Sequence, residues 1–168
     1  MIRFLTLCLF LFSIDGFAQK DTAALQEEIN QEVWKAFQNA FQTLDGEALN
    51  ATYAETVLRV TPSGIDTQNS FKAKNLERFM GYEKEGVLIT LDFWFDSRHT
   101  NTTASYEVGF YRIGFIKNNE TSYSYGQFHI VIQKLNGQWK ITQDWDTDTI
   151  NGEKIGAQDF GKRAPLKF

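Results

Sequence analysis

Apolar residues recur every three or four positions from Thr22 to Leu44, at Leu25, Ile29, Val33, Phe37, Ala40, Phe41 and Leu44. That spacing puts them on one face of a long amphipathic helix. Trp34 widens the stripe, and Glu27, Glu28, Lys35 and Gln38 fall mainly on the wet side. Asp45-Gly46 is expected to stop the helix, because glycine suits the left-handed backbone that follows a helix end. The pattern then predicts a short helix over 47–54 and a strand over 56–61, ended by Pro62-Ser63-Gly64. A third helix is predicted over 70–80, with Ser70 as its cap and Gly81 as its terminator. After Gly86 the period changes from helical to two, giving strands over 87–96, 104–116, 123–134 and 138–146. Loops at 98–103 and 117–121 separate the first three strands, and Asn136-Gly137 marks a type I′ hairpin because both residues tolerate positive φ. Helices first and a meander afterwards imply an α+β domain with helices on one face of a curved sheet.

The N-terminus reads as an address. Arg3 supplies a positive start, Phe4 to Ile14 is apolar, and Gly16-Phe17-Ala18 offers a small-residue cleavage site, so residues 1–18 are expected to be a signal peptide. The run is too short to span a bilayer, which needs roughly 20 residues, so no stable membrane anchor is expected. The expected address is periplasmic or secreted. Cys8 is the one cysteine, so residues 19–168 hold no thiol for a disulfide, a nucleophile or a metal. Such a chain must be stable through its core alone, and the 11 Phe, 6 Tyr and 4 Trp after Ala18 supply one, or an aromatic-lined pocket. The net charge of −4 with no basic stripe argues against nucleic acid as a partner.

The order of elements, together with particular motifs, resembles the nuclear transport factor 2-like (SnoaL-like) superfamily over about residues 25–147. The motifs are Trp34 and Phe41 in the long first helix, Leu44-Asp45-Gly46 at its end, and Pro62-Ser63-Gly64 after the first strand. The last hairpin adds Gly126-x-Phe-x-x-Val-x-x-Lys134, the Asn136-Gly137 turn and Trp139-Lys140-Ile141. The resemblance implies a cone, with three N-terminal helices packed on a curved, mainly antiparallel sheet over residues 19–148. Residues 149–168 are then a polar C-terminal extension or a loosely held tail. It also implies a homodimer through the outer sheet face and a small-molecule ligand inside the cone. The superfamily contains isomerases, hydrolases and assembly domains, so the fold alone leaves the activity open.

Candidate chemistry centres on Asp144-x-Asp146-x-Asp148, which a continuing strand would place on one face. Like charges that close raise one another's pKa, which is how a general base is tuned. In the resembled fold this strand ends at the cone mouth, making Asp144 and Asp146 pocket candidates, and replacing either by Asn would then stabilise the fold. A solvated strand end is the plainer alternative. A calcium loop fails, since Thr149 and Ile155 stand where glycine and glutamate are needed. Trp145 and Thr147 occupy positions where the superfamily often carries His and Ser, so no imidazole role transfers. Tyr53, Tyr106 or Tyr111 would serve as hydrogen-bond donors to an enolate oxygen, and Asp92, Asp144 or Asp146 as a base. Trp94, between Asp92 and Asp96, belongs either to a wet pocket or to a partly exposed outer face. Tyr53, Trp94, Tyr111, Asp144 and Asp146 are therefore the candidate pocket residues. His129 alternates with Phe128 and Ile130 and is expected on the outer face, and His99 in a solvated loop. Arg59 would meet an anionic ligand or form a surface ion pair. Two histidines without Glu or Cys at ligand spacing point to no metal, and no cofactor fingerprint is present.

Overall fold

A computed structural model describes residues 22–168, so the expected signal peptide lies outside the described residues. The first helix, α1, covers residues 22–42, and its middle turn, Asn30–Trp34, is π-helical. A π turn holds an extra residue. Val33 and Trp34 are both buried as a result, which is how the apolar stripe comes to be wider than a regular helix allows. The stop differs from expectation: Leu44, not Gly46, takes the left-handed conformation, at φ 56°. Asp45 then caps α2 (Gly46–Ala51) by accepting from the Ala48 N–H at 2.8 Å. Gly46 is the first residue of that helix and is required by packing, since a Cβ there would lie 2.7 Å from Leu76 Cδ2.

Strand β1 (Tyr53–Thr61) begins earlier than the alternation suggests and folds back on β2 (Gly64–Asp66). Helix α3 (Ser70–Lys84) runs straight through Gly81 and ends at Gly86, whose φ is 67°. Ser70 is not its cap. Asp66 is, with Oδ2 accepting from the Phe71 N–H and the Ser70 hydroxyl, each at 2.7 Å. Four long strands follow: β3 (Leu88–Thr100), β4 (Ala104–Lys117), β5 (Glu120–Leu135) and β6 (Gln138–Thr147). The expected loops between them shrink to tight turns. Asn101 Oδ1 closes one by accepting from the Thr103 and Ala104 N–H groups, and Asn118 and Asn119 close the other at φ 53° and 64°. Arg98 and His99 are consequently strand residues, not loop residues. Asn136 and Gly137, at φ 52° and 83°, make the two-residue turn between β5 and β6.

The six strands form one sheet in the order β2-β1-β6-β5-β4-β3, antiparallel except where β1 meets β6. The helices cover one face. There, Phe128, Ile130 and Ile132 of β5 pack with Ile29, Val33 and Trp34 of α1. His129 points the other way, with its Nδ1 2.7 Å from the Tyr106 hydroxyl. Trp34 lies at the centre of the core, its ring within 5.1 Å of those of Phe93, Phe95 and Phe128. Its indole N–H donates to the fully buried Glu107 at 2.6 Å, and Glu107 also accepts from Arg98 at 2.9 Å and Ser105 at 2.8 Å. That cluster fixes α1 on the sheet.

The C-terminal residues are not a loose tail. A hairpin of β7 (Thr149–Ile150) and β8 (Glu153–Lys154) leads to a single turn, α4 (Ala157–Phe160), docked on the outer face. Ile155 and Phe160 bury Trp94 and Phe110 in a second apolar cluster. The Phe160 carbonyl accepts from the Trp94 indole at 2.8 Å. Arg163 then lies over the Trp94 ring, and the Leu166 N–H bonds the Phe93 carbonyl at 2.8 Å. The chain end thus wraps around the edge of β3, satisfying part of an edge strand that would otherwise be open to pairing.

Candidate functional site

A cavity of about 140 Å³ lies between the helices and the concave face of the sheet. Aromatic rings wall it: Trp34, Phe37 and Phe41 from α1, Phe93 from β3 and Phe128 from β5. Two glycines let rings lie flat against the sheet. A Cβ on Gly109 would sit 2.4 Å from Phe128 Cζ, and one on Gly126 would sit 2.4 Å from the Tyr111 hydroxyl. Any side chain at either position would push the ring towards the cavity.

The polar end of the cavity is made by β1 and β6. Ile132 of β5 pairs with Ile141 of β6, yet Val131 pairs with Gln143, so Thr142 is an extra residue in the ladder. The bulge reverses the parity of the strand. Before it Trp139 and Ile141 face the core; after it Asp144 and Asp146 do, opposite Ile130 and Phe128. Arg59 on the neighbouring β1 binds both carboxylates, Nη1 to Asp144 Oδ2 and Nη2 to Asp146 Oδ2, the latter at 2.8 Å. The Tyr53 hydroxyl donates to the same Asp144 oxygen at 2.7 Å. Arg59 also lies over the Phe71 ring, 5.6 Å from its centroid.

Burial pushes the Asp146 carboxyl above its ordinary value, aided by the charge of Asp144 and opposed by Arg59. Burial and the Asp144 charge raise Tyr53, so its phenol stays protonated and remains a donor. Tyr111 is raised in the same way, by burial and by Asp146. Burial works against the charge on Arg59, but Asp144, Tyr53 and Asp146 together outweigh it and leave the guanidinium more basic than usual.

Of the five candidate pocket residues, the structure brings Tyr53, Tyr111, Asp144 and Asp146 together around one cavity. Trp94 lies on the opposite face of the sheet under the C-terminal turn and contributes nothing to it. Asp148 also stays outside, paired with Lys154 at the surface. Arg59 forms an ion pair, but one at the cavity rather than at an open surface. Asp92 and Tyr106, the other residues considered for chemistry, are elsewhere: Asp92 pairs with Arg112 and Tyr106 with His129. Two residues at the cavity were not foreseen, Asn75 and Arg78 of α3. Helical spacing of three is the one signal that relates them. No group of three or more His, Cys, Asp or Glu side chains that could hold a metal ion occurs among the described residues. Nor is any described helix long and apolar enough to cross a membrane.

No model of a known family matches the chain, and no curated protein matches it in sequence. Solved structures do match in shape. An NTF-2 like protein of unknown function from Shewanella oneidensis MR-1 superposes with a TM-score of 0.57 at 21% identity, covering 73% of this chain and 98% of that one. An NTF2-like protein with a cystatin-like fold from Novosphingobium aromaticivorans gives 0.62 at 9% identity, covering 81% and 88%. A ketosteroid isomerase-like protein from Erwinia carotovora atroseptica gives 0.51 at 14% identity, covering 71% and 95%. The chain has the nuclear transport factor 2-like fold.

Proposed function

We propose that this protein is an exported small-molecule-binding domain whose ligand occupies the cone. One observation carries the reading: an aromatic-walled cavity ends on a fixed polar cluster of Arg59, Asp144, Asp146 and Tyr53. An apolar space with a few convergent polar groups is the usual make-up of a ligand site. The volume, about 140 Å³, suits a molecule built on a single ring, since an apolar protein cavity of about 150 Å³ takes up benzene. Toluene is a suitable probe by ligand-observed NMR. Binding to the wild type that is lost when Ile113, a residue of β4 that lines the cavity, is enlarged in Ile113→Trp supports the reading; no binding at millimolar toluene overturns it.

A catalytic reading has one observation in its favour. Asp146 is a carboxylate of raised basicity at the cavity, and only its Oδ2 meets Arg59. A cofactor-independent isomerase, dehydratase or hydrolase would use it as a base, and Asp146→Asn would then abolish turnover while leaving binding intact. The homodimer belongs to the same proposal. Tyr106 and Trp145 are 41% and 47% exposed on a sheet face that the C-terminal turn covers only in part. Light scattering at micromolar concentration should give twice the mature mass. Export predicts a chain that starts at Gln19 and is recovered outside the cytoplasm.

A further inference from the structure

The described part of the chain has five arginines, and four are matched with carboxylates: Arg59 with Asp144 and Asp146, Arg98 with Glu107, Arg112 with Asp92, and Arg163 with Asp96. Arg78 is the exception among the described residues, and it lines the cavity. It is not a freely moving surface side chain. Its Nη2 donates to Asn75 Oδ1 at 3.1 Å, the buried Asn75 donates to Asn50 Oδ1 at 3.0 Å, and Asn50 donates to the Lys72 carbonyl at 3.0 Å. Its guanidinium also lies 5.6 Å and 5.3 Å from the ring centroids of Phe41 and Phe79. A chain of amides and two ring faces thus holds in place a cation that forms no ion pair among the described residues. Most of its donors are left for something else.

We infer that the cone takes a compact organic monoanion, a carboxylate on a body of about one ring, with its charged end on Arg78 and its apolar body among Phe37, Phe41 and Phe93. The inference rests on the ligand-binding reading above. Charge at the site selects this class. Arg59 already occupies both carboxylates, so an incoming cation would meet two guanidinium groups and no uncommitted acid. A dianion such as a phosphate monoester would need a second open cation, and Arg59 is already bridged to Asp144 and Asp146. A single carboxylate is matched by the planar fork of one arginine and adds only one negative charge.

The test compares four probes of similar size, benzoate, benzamide, benzylammonium and toluene, on the wild type, Arg78→Gln and Arg78→Lys, by NMR titration at low salt. Benzoate is expected to bind the wild type at least tenfold more tightly than benzamide. Arg78→Gln should erase that preference and Arg78→Lys should keep part of it, while toluene reports on each variant whether the cavity is intact. If toluene binds but benzoate is no better than benzamide, the carboxylate inference fails and the ligand-binding reading stands. If toluene does not bind the wild type, both fail. A wild type that prefers benzylammonium to benzoate also overturns the inference.

Discussion

Replacing Glu107 by Gln is the sharpest test of how the helix layer is held over the cavity. Three donors converge on its two carboxylate oxygens: the Trp34 indole on Oε2, and Arg98 and the Ser105 hydroxyl on Oε1. Gln offers one oxygen and one NH₂, so in either orientation the NH₂ faces a group that can only donate, Trp34 on one side or Arg98 on the other. Ser105 can rotate to accept; the other two cannot. A buried donor left without an acceptor costs about 1–3 kcal/mol. Arg98 also loses its countercharge. Its side chain is 13% exposed and its Nε has no partner even in the native protein. Removing one member of a buried ion pair typically costs about 3–5 kcal/mol, a large share of the roughly 5–15 kcal/mol that holds a domain folded. We expect urea unfolding followed by tryptophan fluorescence to show a loss of about 3–5 kcal/mol for Glu107→Gln. The double variant Glu107→Leu with Arg98→Met should recover part of it, because no buried charge is left unpaired although the Trp34 N–H stays without its acceptor, giving a coupling of about 2 kcal/mol or more. A Gln variant within about 1 kcal/mol of wild type, or single effects that simply add in the double variant, would refute the reasoning.

Asp144 and Asp146 should respond oppositely to the same change. Asp144→Asn removes a charged acceptor shared by Arg59 and Tyr53 and should cost about 2–3 kcal/mol, somewhat less than a fully broken buried pair because Asp146 still holds Arg59. Asp146 has a raised folded pKa, so its contribution to stability is full below the unfolded value near 4 and is lost as pH rises through the folded value. Asp146→Asn should therefore be the more stable protein at neutral pH and lose that advantage as the pH falls below about 4; pH-dependent melting checks both signs. Gly137→Val forces a β-branched residue to φ near 83° and should cost about 1–2 kcal/mol, a claim that a variant melting with wild type would defeat. Phe160→Ala should cost about 1–3 kcal/mol, below the ~3–5 of a central Phe→Ala because detachment of the C-terminal turn caps the loss. That change should also raise the exposure of Trp94 to a fluorescence quencher; unchanged quenching would mean the turn is not what covers it.

The parts of the fold legible in the sequence are those governed by local period. The stripe from Leu25 to Leu44 has helical spacing, and Phe128, Ile130 and Ile132 alternate as one strand face, so α1 and the inner side of β5 follow from patterning alone. Where a boundary depends on a contact made far along the chain, local period misleads. Gly46 looks like a helix stop, but it opens α2 under the Asp45 cap and is glycine because Leu76 approaches too closely for a side chain. Gly81 looks like another, and α3 runs through it to Gly86. Ser70 has the chemistry of a cap, but it is already the first helical residue, and Asp66, four residues back on β2, accepts from its hydroxyl and from the Phe71 N–H.

The candidate site shows the same division. Three aspartates at a spacing of two imply one shared face, and Asp144 and Asp146 do share one. Nothing in that spacing reveals that the face is the concave one. Trp139 and Ile141 have the opposite parity, and a strict alternation from them would turn both carboxylates outwards. The inserted Thr142 brings the core pair and the acidic pair onto the same side, and a bulge of that kind has no local signature in Ile141-Thr142-Gln143. Arg59 then determines what the two acids are for. Placed between them from a strand that is distant in sequence, it turns mutual repulsion into a bridged cluster and leaves Arg78 as the cavity arginine without an ion pair among the described residues. A carboxylate pair read from spacing alone suggests a base. The same pair bridged by one arginine and faced by another is an ion cluster, the geometry from which an anionic ligand is inferred.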